Sequence, residues 1–281
     1  MSPLTTAMLV AAATVRDGER APRLDVDIAR GCLRASGSGG RSLLALVDNV
    51  VGRLLLGLVE LLGVPSLGAH FAWRKRHIRD WTDAACGTWA RQLVVLGAGF
   101  DGLAAGMVRR HPRLVAFEVD RPEGMATKAR ALQALDAVSP RHVLLPGDLA
   151  RTSLPALLSG VPAFNPALPT LFVAEGLLMY LERPQVAGLF AGMRDACGST
   201  PEVIATAMVC PPGGHPAFVR ARRWVAGWLR ARGEPFRWGI APGALARTMA
   251  ACGLQVQRVA DADDAAAPDP SPGELLFRGH L

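Results

Sequence analysis

The stretch that most constrains this chain is Leu93-Val94-Val95-Leu96-Gly97-Ala98-Gly99-Phe100-Asp101-Gly102, an apolar run that stops at closely spaced glycines. A short run of aliphatic and β-branched residues predicts a strand buried on both faces, as in a parallel sheet. The glycines let the backbone turn tightly under a ligand before a helix begins. Gly97, Gly99 and Gly102 also fit the dinucleotide fingerprint G-x-G-x-x-G. The loop alone therefore leaves NAD, another adenosine cofactor and a plain structural turn open.

The next segments extend the unit. Leu103–Arg110 reads as a helix whose N-terminal amides face the loop, and Leu114–Asp120 as the second strand. Asp120 lies 23 residues after Gly97, where an acid at the tip of the neighbouring strand can accept hydrogen bonds from both hydroxyls of a ribose. Glu118, two residues back, shares that face and is the weaker candidate. Asp101 is a ligand contact or a helix cap. Pro122 opens a helix, His142–Leu145 is a third strand, and Asp148 and Leu149 sit in the turn after it. Thr170–Ala174 is a fourth strand, and Glu175 ends it at the sheet edge where open α/β sheets bind ligands. Tyr180, the only tyrosine, follows in the same turn. Further on, the pattern predicts helices over 183–197, 217–232 and 242–252, strands over 203–209 and 254–259, an acidic loop over 261–269 and a last strand over 275–278. Ending on two strands predicts one antiparallel member in an otherwise parallel sheet.

Before the loop, Ser36–Arg41 reads as a flexible connection and Ser42 as the cap of one long helix. In that helix, Leu43 to Leu62, apolar residues recur at helical spacing, the pattern of a core helix or of a lid on an apolar pocket. Asp48, Arg53 and Glu60 interrupt it too often for a membrane span. Trp73–Trp81 packs Arg74, Lys75, Arg76, His77 and Arg79 between aromatics, either as a solvated helix face or as a site in which Arg74 or Arg76 grips a carboxylate.

Composition narrows the partners. The net charge of +7 is carried almost wholly by arginine, the only lysines being Lys75 and Lys128, and the charges are dispersed among acids and few aromatics. That argues against nucleic acid and suits an acidic small molecule. Five scattered cysteines with no metal-ligand spacing, and no basic-then-apolar leader, fit a reducing cytoplasm.

A dehydrogenase uses Gly97, Gly99, Gly102 and Asp120 but leaves Asp148 and Glu175 idle. Leu96–Asp101, Phe117–Pro122, Gly147–Leu149 and Ala174–Leu181, in that order and spacing, together resemble the leucine carboxyl methyltransferase family, with Glu234–Arg237 also similar. The resemblance implies a Rossmann-like class I methyltransferase fold, a mostly parallel seven-stranded sheet with helices on both faces. It further implies an N-terminal helical cap over 1–88 and a cofactor domain over 89–281 with a helical insertion around 211–240. The implied cofactor is S-adenosyl-L-methionine, held by Arg74, Gly97, Gly99, Asp101, Asp120, Asp148, Leu149 and Glu175. The implied acceptor is a carboxylate of a small molecule, with Arg76, Tyr180, His215 and Arg237 as positioning candidates and no metal. Gly102 departs from the family, which usually has threonine there. A carboxylate acceptor is ionised near neutral pH and needs no base. A hydroxyl acceptor, the second expectation, needs one, with His77 and His215 as candidates. A dehydrogenase or a non-catalytic cofactor-binding protein ranks behind both.

Overall fold

The structure is a computed structural model, and it describes residues 4–18, 20–211, 213–260 and 273–281. The predicted 261–269 loop lies outside the described residues.

Five helices come first: α1 (Thr6–Arg16), α2 (Arg23–Ala35), α3 (Gly37–Asp48), α4 (Val50–Gly63) and α5 (Leu67–Thr88). Thr5 caps α1 by accepting from the Met8 amide at 3.3 Å. Met8, Ala12, Leu33, Leu43 and Val47 are among the buried residues that bind α1, α2 and α3 into one small core. The flexible connection expected at Ser36–Arg41 is instead the first turn of α3. Its glycines serve close approach rather than looseness, because a side chain on Gly40 would strike the carbonyl of Leu33 in α2.

The single long helix expected over 43–62 is also two. The chain bends by 105° at Asn49, whose side chain caps α4 through the Gly52 amide at 2.6 Å. Gly52 has to be glycine, since a Cβ there would meet the backbone of Leu46. The buried-helix expectation holds for the α3 half and fails for α4, whose leucines and valines are mostly exposed.

The sheet follows the predicted alternation: β1 (Gln92–Leu96), α6 (Leu103–Arg110), β2 (Val115–Asp120), α7 (Pro122–Ala134), β3 (His142–Pro146), α8 (Leu154–Ser159), β4 (Thr170–Ala174), a 3₁₀ turn (Leu178–Tyr180), α9 (Arg183–Asp195), β5 (Glu202–Met208), α10 (Arg223–Ala231), α11 (Leu245–Ala250), β6 (Gln255–Val259) and β7 (Glu274–His280). Strand order is β3-β2-β1-β4-β5-β7-β6, parallel except for β7, which runs antiparallel between β5 and β6. The strands are apolar on both faces because both are covered. Val94 and Leu96 enter one core with Phe117, Phe172 and Phe190, while Leu93 and Val95 enter the other with Trp73, Ile78 and Met107. Truncating a ring such as Phe117 or Phe172 to alanine would cost about 3–5 kcal/mol.

Three helices differ most from expectation. α8 carries little periodicity and was not predicted. The basic helix expected over 217–232 starts only at Arg223, because Phe218 is drawn into the core beside Met179 and Met208 and the chain turns there. The helix expected over 242–252 shrinks to Leu245–Ala250, after Gly243 with φ of 72°.

Candidate functional site

Parallel strands put their carboxyl ends along one edge, and the predicted acids fall there. The β1–β2 register pairs Leu96 with Val119, and the β2–β3 register pairs Asp120 with Pro146. Asp120, Asp148 and Glu175 follow the ends of β2, β3 and β4, around the turn that leaves β1. In that turn Gly97 and Gly99 have φ of 66° and 48°, the left-handed region that glycine adopts without strain. Gly97 has a second reason to lack a side chain, since a Cβ would lie 3.1 Å from the Leu177 side chain. The Gly99 amide donates to Asp120 at 2.6 Å, and the Gly97 amide to the Val119 carbonyl at 2.8 Å. Asp101 accepts from the Leu103 amide at 2.6 Å as a cap of α6, one of its two expected parts, and also pairs with Lys75. Asp148 accepts from the Ala150 amide at 3.0 Å within its turn, and Leu149 packs against the main core.

From α5 a line of alternating charges reaches this edge. Arg74 is 4% exposed. Its Nε donates to Glu175 Oε1 at 2.9 Å and its Nη1 to Glu274 Oε2 at 2.7 Å. Lys75 lies 3.3 Å from Glu175 and also pairs with Asp101. His70, one turn before Arg74, meets Glu274 Oε2 at 2.6 Å through Nε2, while its buried Nδ1 has no hydrogen-bond partner among the described residues. Burial disfavours the charges of Arg74, Lys75, Asp101 and Glu274, and the opposite charges outweigh it. Arg74 and Lys75 are held above their usual ranges by their carboxylates, Asp101 is held below its range by Lys75, and Glu274 is pulled down to about 2 by Arg74 and His70.

Glu274 was missed because it opens a strand 200 residues from Arg74; the one available sign was a carboxylate at the head of an apolar run. His70 was legible in principle, being four residues before Arg74 and so on the same helix face. Asp25 of α2 is a further omission. Its carboxylate pairs with Arg79 and sits where a Gly102 side chain would go, 2.6 Å from an ideal Cβ. The departure at Gly102 thus leaves room for an acid from another helix. Burial, then the neighbouring charge of Asp101, raises Asp25 to about 7.

Other candidates fall elsewhere. Glu118 is not a ligand-edge acid: it is 1% exposed, paired with Lys128 and 3.4 Å from His142, inside the layer behind β2. Lys128 in turn reaches the Ala98 carbonyl of the loop at 3.5 Å. Arg76 lies about 200° round α5 from Arg74 and is exposed. His77 is tied to the Trp73 carbonyl of its own helix at 2.9 Å, and His215 is exposed in the loop after β5. Arg237 is exposed, 3.3 Å from Glu182, although its amide holds the Met179 carbonyl at 2.7 Å. Tyr180 packs edge-on against Phe236 at 5.5 Å, and burial pushes its hydroxyl up to about 12. Over the loop lies α1. Ala7 is 3.8 Å from an ideal Gly99 Cβ, and the buried Glu234 accepts from the Thr6 amide at 2.9 Å and from Arg121 at 3.2 Å.

This geometry can be set beside known proteins. Residues 59–194 match the family model for leucine carboxyl methyltransferase. A protein of Saccharopolyspora erythraea, provisionally named an S-adenosyl-L-methionine-dependent methyltransferase, is 32% identical over 200 residues, covering 68% of this chain and 62% of its own. A Mycolicibacterium gilvum protein of the same name is 31% identical over 179 residues, covering 63% and 57%. The chain spans about three-fifths of the length of these curated relatives. In fold it is similar to the crystal structure of a provisionally named methyltransferase from Thermobifida fusca, with a TM-score of 0.57 and 16% identity over 83% of this chain and 89% of that one. The ordered motifs and the match over 59–194 make this chain similar to the leucine carboxyl methyltransferase family over just under half of its length, and its strand order and likeness to the Thermobifida fusca structure show a class I methyltransferase fold.

Proposed function

We propose that this protein transfers the methyl group of S-adenosyl-L-methionine to a carboxylate oxygen of a small molecule. The observation that carries the reading is the convergence, on one sheet edge, of a left-handed glycine turn and the acids Asp120 and Glu175 with the paired cations Arg74 and Lys75. This donor set fits the cofactor. Asp120 suits ribose hydroxyls, Asp148 and Leu149 the adenine, Glu175 and Asp101 an ammonium, and Arg74 and Lys75 a carboxylate. Gly97 and Gly99 let the backbone come close. When bound, the cofactor supplies a sulfonium methyl that needs only a nucleophile held in line.

The residues of the chain then have three tasks. Glu175 and Glu274 fix the plane of Arg74 by gripping it from two sides. Helix α1 with Thr6 and Glu234 excludes water above the loop. Tyr180, Phe236 and Met179 offer an apolar wall to the acceptor. The same reading makes residues 1–88 the cap and 211–240 an insertion on the acceptor side.

A second reading, hydroxyl methylation, is favoured by His70: its Nε2 meets Glu274 and its Nδ1 has no hydrogen-bond partner among the described residues, the arrangement of an oriented general base. A methyl-transfer screen over carboxylic acids and phenols, run with the wild-type chain and His70→Gln, separates them. Ester formation that survives His70→Gln supports the carboxylate. Ether formation abolished by the same change replaces it. Tighter binding of NADH than of S-adenosylhomocysteine would overturn both.

A further inference from the structure

Helix α4 keeps a narrow side for the protein and turns the rest outward. Gly52 and Gly63 are its buried residues, and Trp224 lies against Gly63, 3.0 Å from an ideal Cβ. Eight leucines and valines between Val50 and Leu62 are 50% to 70% exposed. At 100° per residue they spread over about half the circumference of a helix some 21 Å long. Patches this concentrated on a protein surface mark contact sites.

The rim of the face is positive. Arg53 lies near one end of α4 with Arg41 on the preceding helix α3, and Arg222 and Arg223 lie at the other end, where the Arg222 amide donates to the Gly63 carbonyl at 2.9 Å and the Trp224 indole to the Leu62 carbonyl at 3.0 Å. All four arginines are exposed and form no ion pair among the described residues. The nearby acids are already engaged: Asp48 with Arg30 at 2.7 Å, and Glu60 with Arg16 at 2.8 Å and the Gly68 amide at 2.8 Å. Two copies meeting through this face would bring arginine rims together with no free carboxylate among the described residues between them. An anionic surface complements both the rim and the face. A span is a different matter: among the described residues no single helix is long and apolar enough to cross a membrane, and α3 and α4 pass that test only together, across their 105° bend.

We propose that α4 seats this protein on an anionic lipid surface. The helix lies in the headgroup plane, its leucine and valine side against the acyl chains, Arg53, Arg222 and Arg223 on the lipid phosphates and Trp224 at the boundary. The proposal is independent of the reaction. The test is sedimentation of the full chain with phosphatidylcholine vesicles, with and without phosphatidylglycerol. Binding is expected to the anionic vesicles and to weaken with salt. The double variants Leu54→Glu/Leu58→Glu and Val51→Glu/Val59→Glu should each weaken it at least about tenfold, because a buried charge is excluded from the acyl region. Arg222→Ala/Arg223→Ala should lose the preference for anionic over neutral vesicles. The proposal is overturned if the wild-type chain fails to sediment with anionic vesicles, or if both glutamate pairs bind as the wild type does. It is overturned too if the lipid-free chain is a dimer that the glutamate pairs dissociate, which would assign the face to a second copy.

Discussion

Asp120 accepts a 2.6 Å hydrogen bond from the Gly99 amide, so the acid at the tip of β2 also holds the loop it faces across the sheet edge. Removing it should cost one charge-assisted hydrogen bond to the loop and any made to a ribose. Asp120→Ala is expected to weaken S-adenosylhomocysteine binding by about tenfold to a hundredfold, each such bond being worth ~1.5–3 kcal/mol. Calorimetric titration checks it, and unchanged affinity would remove Asp120 from the site.

Glu118 should behave in the opposite way. Glu118→Ala leaves Lys128 fully buried without its carboxylate, a change that costs about 3–5 kcal/mol of stability in comparable buried pairs. Denaturant melts should show a large loss for Glu118→Ala and a smaller one for Glu118→Gln/Lys128→Met, in which neither charge is left alone.

Arg74 and Arg76 give a contrast on one helix. Arg74→Lys keeps the charge but loses the fork that meets Glu175 and Glu274 together, and binding of S-adenosylhomocysteine should fall at least about tenfold. Arg76→Ala, on the exposed face, should change stability and affinity by less than ~0.5 kcal/mol. Equal effects would mean that α5 supports the site only as a scaffold.

Two carboxyls should give stability opposite slopes in pH. Asp25 titrates near 7 in the folded chain, above its ordinary value of 3.8, so the folded state holds a proton that the unfolded state has released. Its contribution is present in full below about pH 4 and is lost as pH rises toward 7. Glu274, drawn down to about 2, contributes above its ordinary 4.5 and loses that contribution as pH falls toward 2. Thermal melts from pH 4 to 8 should show Asp25→Asn flattening the decline on the neutral side. An unchanged slope would place the Asp25 carboxyl in its ionised form throughout, held by Arg79.

Gly97→Ala combines a φ of 66° with a 3.1 Å approach to Leu177, and should lower stability by about 1–3 kcal/mol while also weakening cofactor binding. A variant as stable and as tight-binding as the wild type would show that the turn has slack.

The alternation of strands and helices was legible because each strand is a continuous apolar run and each turn is marked by glycine, proline or an acid. Hence the sequence pattern alone puts Gly97, Asp120 and Glu175 at the sheet edge that they occupy. What stayed hidden depends on contacts between distant segments. Ser36–Arg41 has the composition of a linker, and only the closeness of α2 to α3 shows that its glycines are spacers. Glu118 and Asp120 share one strand face, and burial by Lys128 and His142 separates a structural acid from an edge acid. Periodicity in α4 marks an apolar face without saying what covers it. Asp25, His70 and Glu274 enter the site from α2, α5 and β7, and no local motif announces them.

The pairing of His70 with Glu274 also bears on when the site comes into being. These residues are 204 positions apart, and the second lies in a strand slotted between two others. Glu175 and Glu274 each supply one half of the carboxylate clamp on Arg74, so the clamp is complete only when β7 has entered the sheet. A nascent or C-terminally clipped chain would therefore carry every cofactor motif and still lack the assembled site. Strand β7 thus joins the two ends of the fold at a single guanidinium.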